Sequence, residues 1–91
     1  MLTRADRPTA EEVLGVVRDA LSVVLEIDPT RVTADSVLAD LDADSLALVE
    51  VAEIVEEQLA PLAAEPLVIA DSDLEKLATV GQAVDYVLAR L

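Results

Sequence analysis

The stretch Asp44-Ser45-Leu46-Ala47-Leu48-Val49-Glu50-Val51-Ala52-Glu53-Ile54-Val55-Glu56-Glu57-Gln58-Leu59 decides the fold. At about 100° per residue, Leu48, Val51, Ala52, Val55 and Leu59 fall within one narrow arc, which is the core stripe of an amphipathic helix. Glu50, Glu53 and Glu57 fall on the far side. Asp44 is the expected N-cap. A short carboxylate there accepts a backbone N–H and faces the positive end of the helix dipole, at a gain of about 1 kcal/mol. Leu46 and Val49 leave the stripe and project toward the acidic side. Two readings stay open for them: burial by the preceding loop, or an apolar contact patch ringed by carboxylates.

Upstream, residues 28–43 read as a long connection rich in Asp, Thr and Ala, with Val32, Val37, Leu38 and Leu41 expected to hold it to the core. Loops of this length are uncommon and often functional. Before it, Thr9 and Glu12 have the spacing of a capping box. Val13, Val17, Ala20, Leu21 and Val24 follow at helical intervals, with Arg18, Ser22 and Glu26 opposite. Pro29 disfavours a helical Asp28, so the first helix should stop at Ile27.

Downstream, residues 60–70 form a connection with Pro61 and Pro66 that ends in Leu67-Val68-Ile69. Asp71 or Ser72 should cap a short third helix carrying Leu74 and Leu77. Thr79 and Gln82 make a second capping box, and Val80, Ala83, Val84, Val87, Leu88 and Leu91 form the buried stripe of a last helix. The expected fold is all-α: a small four-helix bundle with one short helix and a long loop between the first two helices.

The chain has 91 residues, which suits one domain. Residues 1–8 should be a flexible N-terminal tail and residues 9–91 the folded domain. Hydrophobic residues are 54% of the sequence but aromatics only 1%, so the core must be aliphatic. There is no Cys, hence no disulfide and no thiolate nucleophile or ligand. There is no His, so the usual near-neutral base is missing and a serine nucleophile would lack its activator. These absences argue against an intrinsic catalytic site.

Six cations against nineteen anions give a net charge of −13. Between Arg31 and Lys76 there is no cation and there are twelve acids. Nucleic acids and anionic membranes are disfavoured as partners. Basic proteins, steered by charge, are favoured. No leader-like apolar run is visible at the start and no stretch approaches a membrane span, so a cytoplasmic location is expected. Asp40-x-Asp42-x-Asp44 imitates the start of a calcium loop, but its sixth position is Ser45 instead of Gly and its twelfth is Val51 instead of Glu. No metal site is expected.

Asp-Ser occurs three times, at Asp35-Ser36, Asp44-Ser45 and Asp71-Ser72. Only Asp44-Ser45 opens a long amphipathic helix directly after the long loop. There the free N–H groups and the dipole favour a phosphate attached to Ser45. A serine so placed is better suited to being modified than to attacking a substrate unaided.

The run Leu41-Asp42-Ala43-Asp44-Ser45-Leu46-Ala47-Leu48-Val49-Glu50 resembles the prosthetic-group motif of acyl carrier proteins. Asp28-Pro29-Thr30-Arg31-Val32-Thr33 is similar to their entry into the long loop. Residues 76–87, Lys76 to Val87, are similar to their last segment. The resemblance covers residues 9–91. It implies a 4′-phosphopantetheine arm, taken from coenzyme A and placed on Ser45 by a separate Mg²⁺-dependent phosphopantetheinyl transferase. The reactive sulfur then arrives with the arm, whose thiol holds acyl groups as thioesters. Asp44 would position the transferase's metal or the serine. Leu46, Val49, Glu50, Glu53 and Glu57 would lie on the helix that acyltransferase, ketosynthase or acyl-ligase enzymes grip through basic patches.

Three departures from the family pattern stand out. Asp42 replaces the usual Gly, Glu53 replaces a frequent apolar residue, and the 60–70 segment is long. Glu53 suggests a different partner set and the long segment a dedicated pathway; without the Gly-Gly-rich approach to the serine of peptidyl carriers, a stand-alone, monomeric carrier of polyketide or related secondary metabolism is expected. An aminoacyl or peptidyl cargo is the alternative within the family. Outside it, the rival is a small acidic helical adaptor with Ser45 unmodified.

Overall fold

A computed structural model describes residues 8–63 and 65–91. Of the tail expected over 1–8, residues 1–7 lie outside the described residues, and Pro8 is buried. The chain forms α1 (Ala10–Leu25), α2 (Ser45–Leu59), α3 (Asp71–Leu74) and α4 (Val80–Leu88). Three 3₁₀ turns interleave them, at Pro29–Arg31, Leu38–Leu41 and Ala60–Leu62. α1 packs against both α2 and α4. Among the described residues the extended pairing is one isolated antiparallel bridge, Val37 with Thr79. The all-α bundle read from the sequence is the fold.

Both capping boxes form. The Glu12 N–H donates to Thr9 Oγ1 at 3.1 Å, and the Thr9 N–H donates to Glu12 Oε1 at 2.8 Å. Gln82 and Thr79 repeat the exchange at α4. These bonds satisfy donors that a helix start leaves orphaned. α1 ends two residues earlier than expected. Glu26 turns left-handed (φ 57°), and its N–H and that of Ile27 both close on the Ser22 carbonyl, a terminus built before Pro29 can act.

The long loop is ordered, with one correction to its anchors. Val32 and Leu38 are buried, but Val37 is exposed and contributes its backbone instead. The Leu38 N–H donates to Ala78 O at 2.9 Å, Val80 N–H to Ser36 O at 2.9 Å, and Gly81 N–H to Ala34 O at 2.8 Å. The loop is thus stitched to the start of α4. Gly81 permits the approach: a Cβ there would stand 3.0 Å from the Ala34 carbonyl oxygen. Arg18, expected on the outer face of α1, bends to the loop and donates from Nε to Val32 O at 3.2 Å. A long stem with a polar tip can serve both surfaces.

α3 is one turn long. Its N-cap is Ala70, not Asp71 or Ser72, and no side chain caps it. Leu74 points into the core, whereas Leu77 follows the helix and is half-buried. In the run before it, Leu67 and Ile69 are buried and Val68 is exposed, the alternation of an extended segment lying on a core.

Val13, Leu21, Val32 and Val80 are the most deeply buried large side chains, and no buried residue among those described is polar. Val51, Ala52, Val55 and Leu59 fill the α2 stripe as expected, while Leu48 at its upper end is only half-buried.

Candidate functional site at the start of helix α2

Three local features deliver Ser45. The turn Leu38–Leu41 ends in Asp42, whose backbone is left-handed (φ 62°, ψ 31°). That conformation favours glycine, and Asp is among the few other residues that adopt it readily. Its N–H closes on Ala39 O and Leu38 O. Ala43 then buries its methyl, and its N–H donates to Leu38 O at 3.2 Å. Asp44 is extended and caps α2, with the Ala47 N–H donating to its Oδ1 at 2.9 Å.

Ser45 is therefore the first residue of a fifteen-residue helix. It is exposed, and its hydroxyl has no hydrogen-bond partner among the described residues. The Ser45 and Leu46 backbone N–H groups likewise have no acceptor among them, so the positive end of the helix is open to solvent. The two other Asp-Ser serines differ. Ser36 accepts a bond from the Thr33 N–H at 2.9 Å, and its hydroxyl lies against Arg31 O. Ser72 is exposed, but on the four-residue α3.

The two readings held for Leu46 and Val49 divide between them. Leu46 is 69% exposed beside Ser45, whereas Val49 packs against the core. Glu50, Glu53 and Glu57 are exposed and have no ion-pair partner among the described residues. An open groove of about 440 Å³ separates the end of α1 from the start of α2. Leu25, Ile27 and Leu41 line it together with Asp40, Asp42, Asp44 and Arg31.

Behind α2 lies a second feature, which the sequence did not suggest. An apolar cavity of about 30 Å³ is lined by Leu21, Leu48, Val51, Val55, Leu74 and Tyr86 among others. Tyr86 closes one side. Its hydroxyl donates to Asp73 Oδ2 at 2.5 Å, and the Arg90 guanidinium sits 3.6 Å over its ring. Burial, followed by this bond to a carboxylate, raises the phenol pKa above its ordinary value. Tyr86, Asp73 and Glu56 carried no motif. They become visible only when α3, α2 and α4 meet.

Ser45 is thus an exposed, unpartnered hydroxyl on an open helix N-terminus, where backbone N–H groups and the dipole favour negative charge. The model of the family described as "Phosphopantetheine attachment site" matches residues 15–87. The chain is 40% identical over 80 residues to an acyl carrier protein of Lactobacillus johnsonii, covering 87% of this chain and 92% of that protein. It is 37% identical over 84 residues to an acyl carrier protein of Exiguobacterium, covering 91% and 99%. It is 35% identical over 80 residues to a meromycolate extension acyl carrier protein of Mycobacterium leprae, covering 87% of this chain and 64% of that protein.

The chain belongs to the phosphopantetheine-dependent acyl carrier protein family. It is a carrier and not a catalyst, its prosthetic group is a covalent 4′-phosphopantetheine, and its partners include a phosphopantetheinyl transferase and acyl-handling enzymes.

Proposed function

We propose that Ser45 bears the prosthetic group and that the protein presents apolar acyl intermediates to the enzymes of a dedicated biosynthetic pathway in the cytoplasm, polyketide or related secondary metabolism. One observation carries the assignment. Of the three Asp-Ser serines, Ser45 alone combines an unpartnered exposed hydroxyl with the start of a long helix. The arm supplies a thiol that holds the cargo as a thioester. The polypeptide supplies a rigid point of attachment, two open N–H groups beside it, and a surface for partners. Asp44 orients the serine by capping α2, and its exposed carboxylate is available to the transferase's metal.

Leu46, Glu50, Glu53 and Glu57 form the partner-facing surface, an apolar knob among carboxylates. Val49 supports it from beneath. Docking on such a surface is steered by charge and weakens with salt. The largely apolar cavity favours a hydrocarbon acyl group over an aminoacyl one. A relative named for meromycolate extension is consistent with that preference.

The test is intact-mass analysis after incubation with coenzyme A, Mg²⁺ and a broad-specificity transferase, followed by mapping of the modified residue. The mass should rise by one phosphopantetheinyl group located on Ser45, and Ser45→Ala should stay at its own mass. An unaltered parent mass would favour the unmodified adaptor, and a label on Ser36 or Ser72 would refute the site.

A further inference from the structure

The cavity behind α2 is roofed by residues 67–77. Leu67, Ile69 and Leu74 of this roof are buried, yet its regular structure is a single turn with no side-chain cap. Its own backbone bonds are local: Asp73 and Leu74 N–H to Ala70 O, Lys76 N–H to Asp73 O, Leu77 N–H to Leu74 O.

Polar contacts on two sides tie the roof to the rest of the bundle. On one side the Ile69 N–H donates to Glu56 Oε2 of α2 at 2.7 Å. On the other, Tyr86 of α4 donates to Asp73 Oδ2 at 2.5 Å, and Arg90 Nη2 stands 3.6 Å from the same oxygen. The Tyr86 hydroxyl also faces the Ala70 backbone. Each contact joins a donor to a carboxylate at partial burial, where such bonds are stronger than neutral ones.

The cavity beneath this roof is about 30 Å³. An apolar cavity of about 150 Å³ takes up one benzene ring, so a space several-fold smaller has no room for a chain of several carbons while the roof is down. Resting on the reading of this protein as a carrier of apolar acyl groups, we propose that Glu56 and Tyr86 set how readily the carried chain enters the core. They hold the 67–77 roof closed, and the chain enters by lifting it off one or both contacts. Glu56 and Tyr86 are thus specificity-determining residues: they tax long apolar cargo that must be enclosed and leave short cargo untouched.

The test compares the parent with Glu56→Ala, Glu56→Gln and Tyr86→Phe. Each protein is loaded with an acetyl or an octanoyl thioester, and cleavage by hydroxylamine is timed. Amide exchange is measured on the unloaded proteins. Loss of one carboxylate bond should raise exchange across 67–77 by about 5- to 10-fold and leave α1 unchanged. Easier lifting should enclose the octanoyl chain more often, slowing its cleavage relative to acetyl by a similar factor in Glu56→Ala and Tyr86→Phe. Glu56→Gln keeps an acceptor for Ile69 and should recover most of the parent behaviour.

An octanoyl group that follows acetyl in every protein, or that becomes more reactive in the variants, overturns the proposal. A parent that cannot be loaded at Ser45 sinks the attachment reading instead. The exchange arm then still judges the contacts, because unchanged exchange across 67–77 means they hold nothing.

Discussion

Asp44 caps α2 and is proposed to serve the transferase's metal, and a pair of substitutions tells the two roles apart. Its Oδ1 accepts the Ala47 N–H at 2.9 Å, which closes one orphaned donor of α2. Asp44→Ala removes that bond, at a cost of about 1 kcal/mol. The lost charge–dipole attraction adds about 0.3–1 kcal/mol. Relief of repulsion from Asp40 and Asp42, which line the same groove, offsets part of it. The net loss is about 1 kcal/mol, equivalent to a fall of about 4–8 °C in Tm for a domain of this size. Asp44→Asn keeps an acceptor in the same place, so its loss should stay within about 0.5 kcal/mol. Thermal and urea unfolding followed by circular dichroism measure both. Loading by the transferase, timed by mass spectrometry at saturating Mg²⁺, measures the second job. If the carboxylate serves the transferase's metal, Asn loads as slowly as Ala although its fold is intact. Asn loading at the parent rate would show that Asp44 acts only as a cap. Equal destabilisation by Asn and Ala would refute the cap reasoning itself.

Three further outcomes follow from the packing. Val51→Ala, in the buried α2 stripe, should cost about 1–3 kcal/mol in urea unfolding, a large share of a small domain's stability. Gly15→Ala places a methyl on mid-α1 with nothing within 4 Å and should gain about 0.5–1 kcal/mol, whereas Gly81→Ala sets a Cβ 3.0 Å from the Ala34 carbonyl and should destabilise; parallel melts of the two decide whether the signs differ. Burial and the Asp73 bond raise the Tyr86 pKa in the folded protein, so this group's contribution is fully present below pH 10.0 and is lost as pH rises through the folded value. Stability measured against pH should therefore converge for the parent and Tyr86→Phe in strong alkali, and a gap that widens there would contradict the assignment.

The three longer helices were legible because their signals are local. Thr9 with Glu12, Thr79 with Gln82, and Asp44 ahead of an apolar stripe each fix an end within four residues, and the stripes fix the buried faces. The position of Ser45 at the start of α2 was legible for the same reason, since loop, cap and helix adjoin it in the chain. What escaped depends on distant partners. Val37 reads as a core anchor until its backbone meets Thr79. Arg18 reads as an outer-face residue until the loop supplies Val32 O. Glu56 looks like any other acid of α2, and only the return of Ile69 thirteen residues later gives its carboxylate a donor. Tyr86 has no marked role in the sequence until Asp73 and Arg90 close around it.

The stitching of residues 34–38 to residues 78–81 has a bearing on biosynthesis. The loop that leads to the serine has several of its hydrogen-bonding partners at residues 78–81, which are synthesised after it. A ribosome must extrude residues 78–81 before that approach can settle into its final form. Chains aborted before residue 78 would lack these bonds, and the approach to Ser45 would lose the partners that order it.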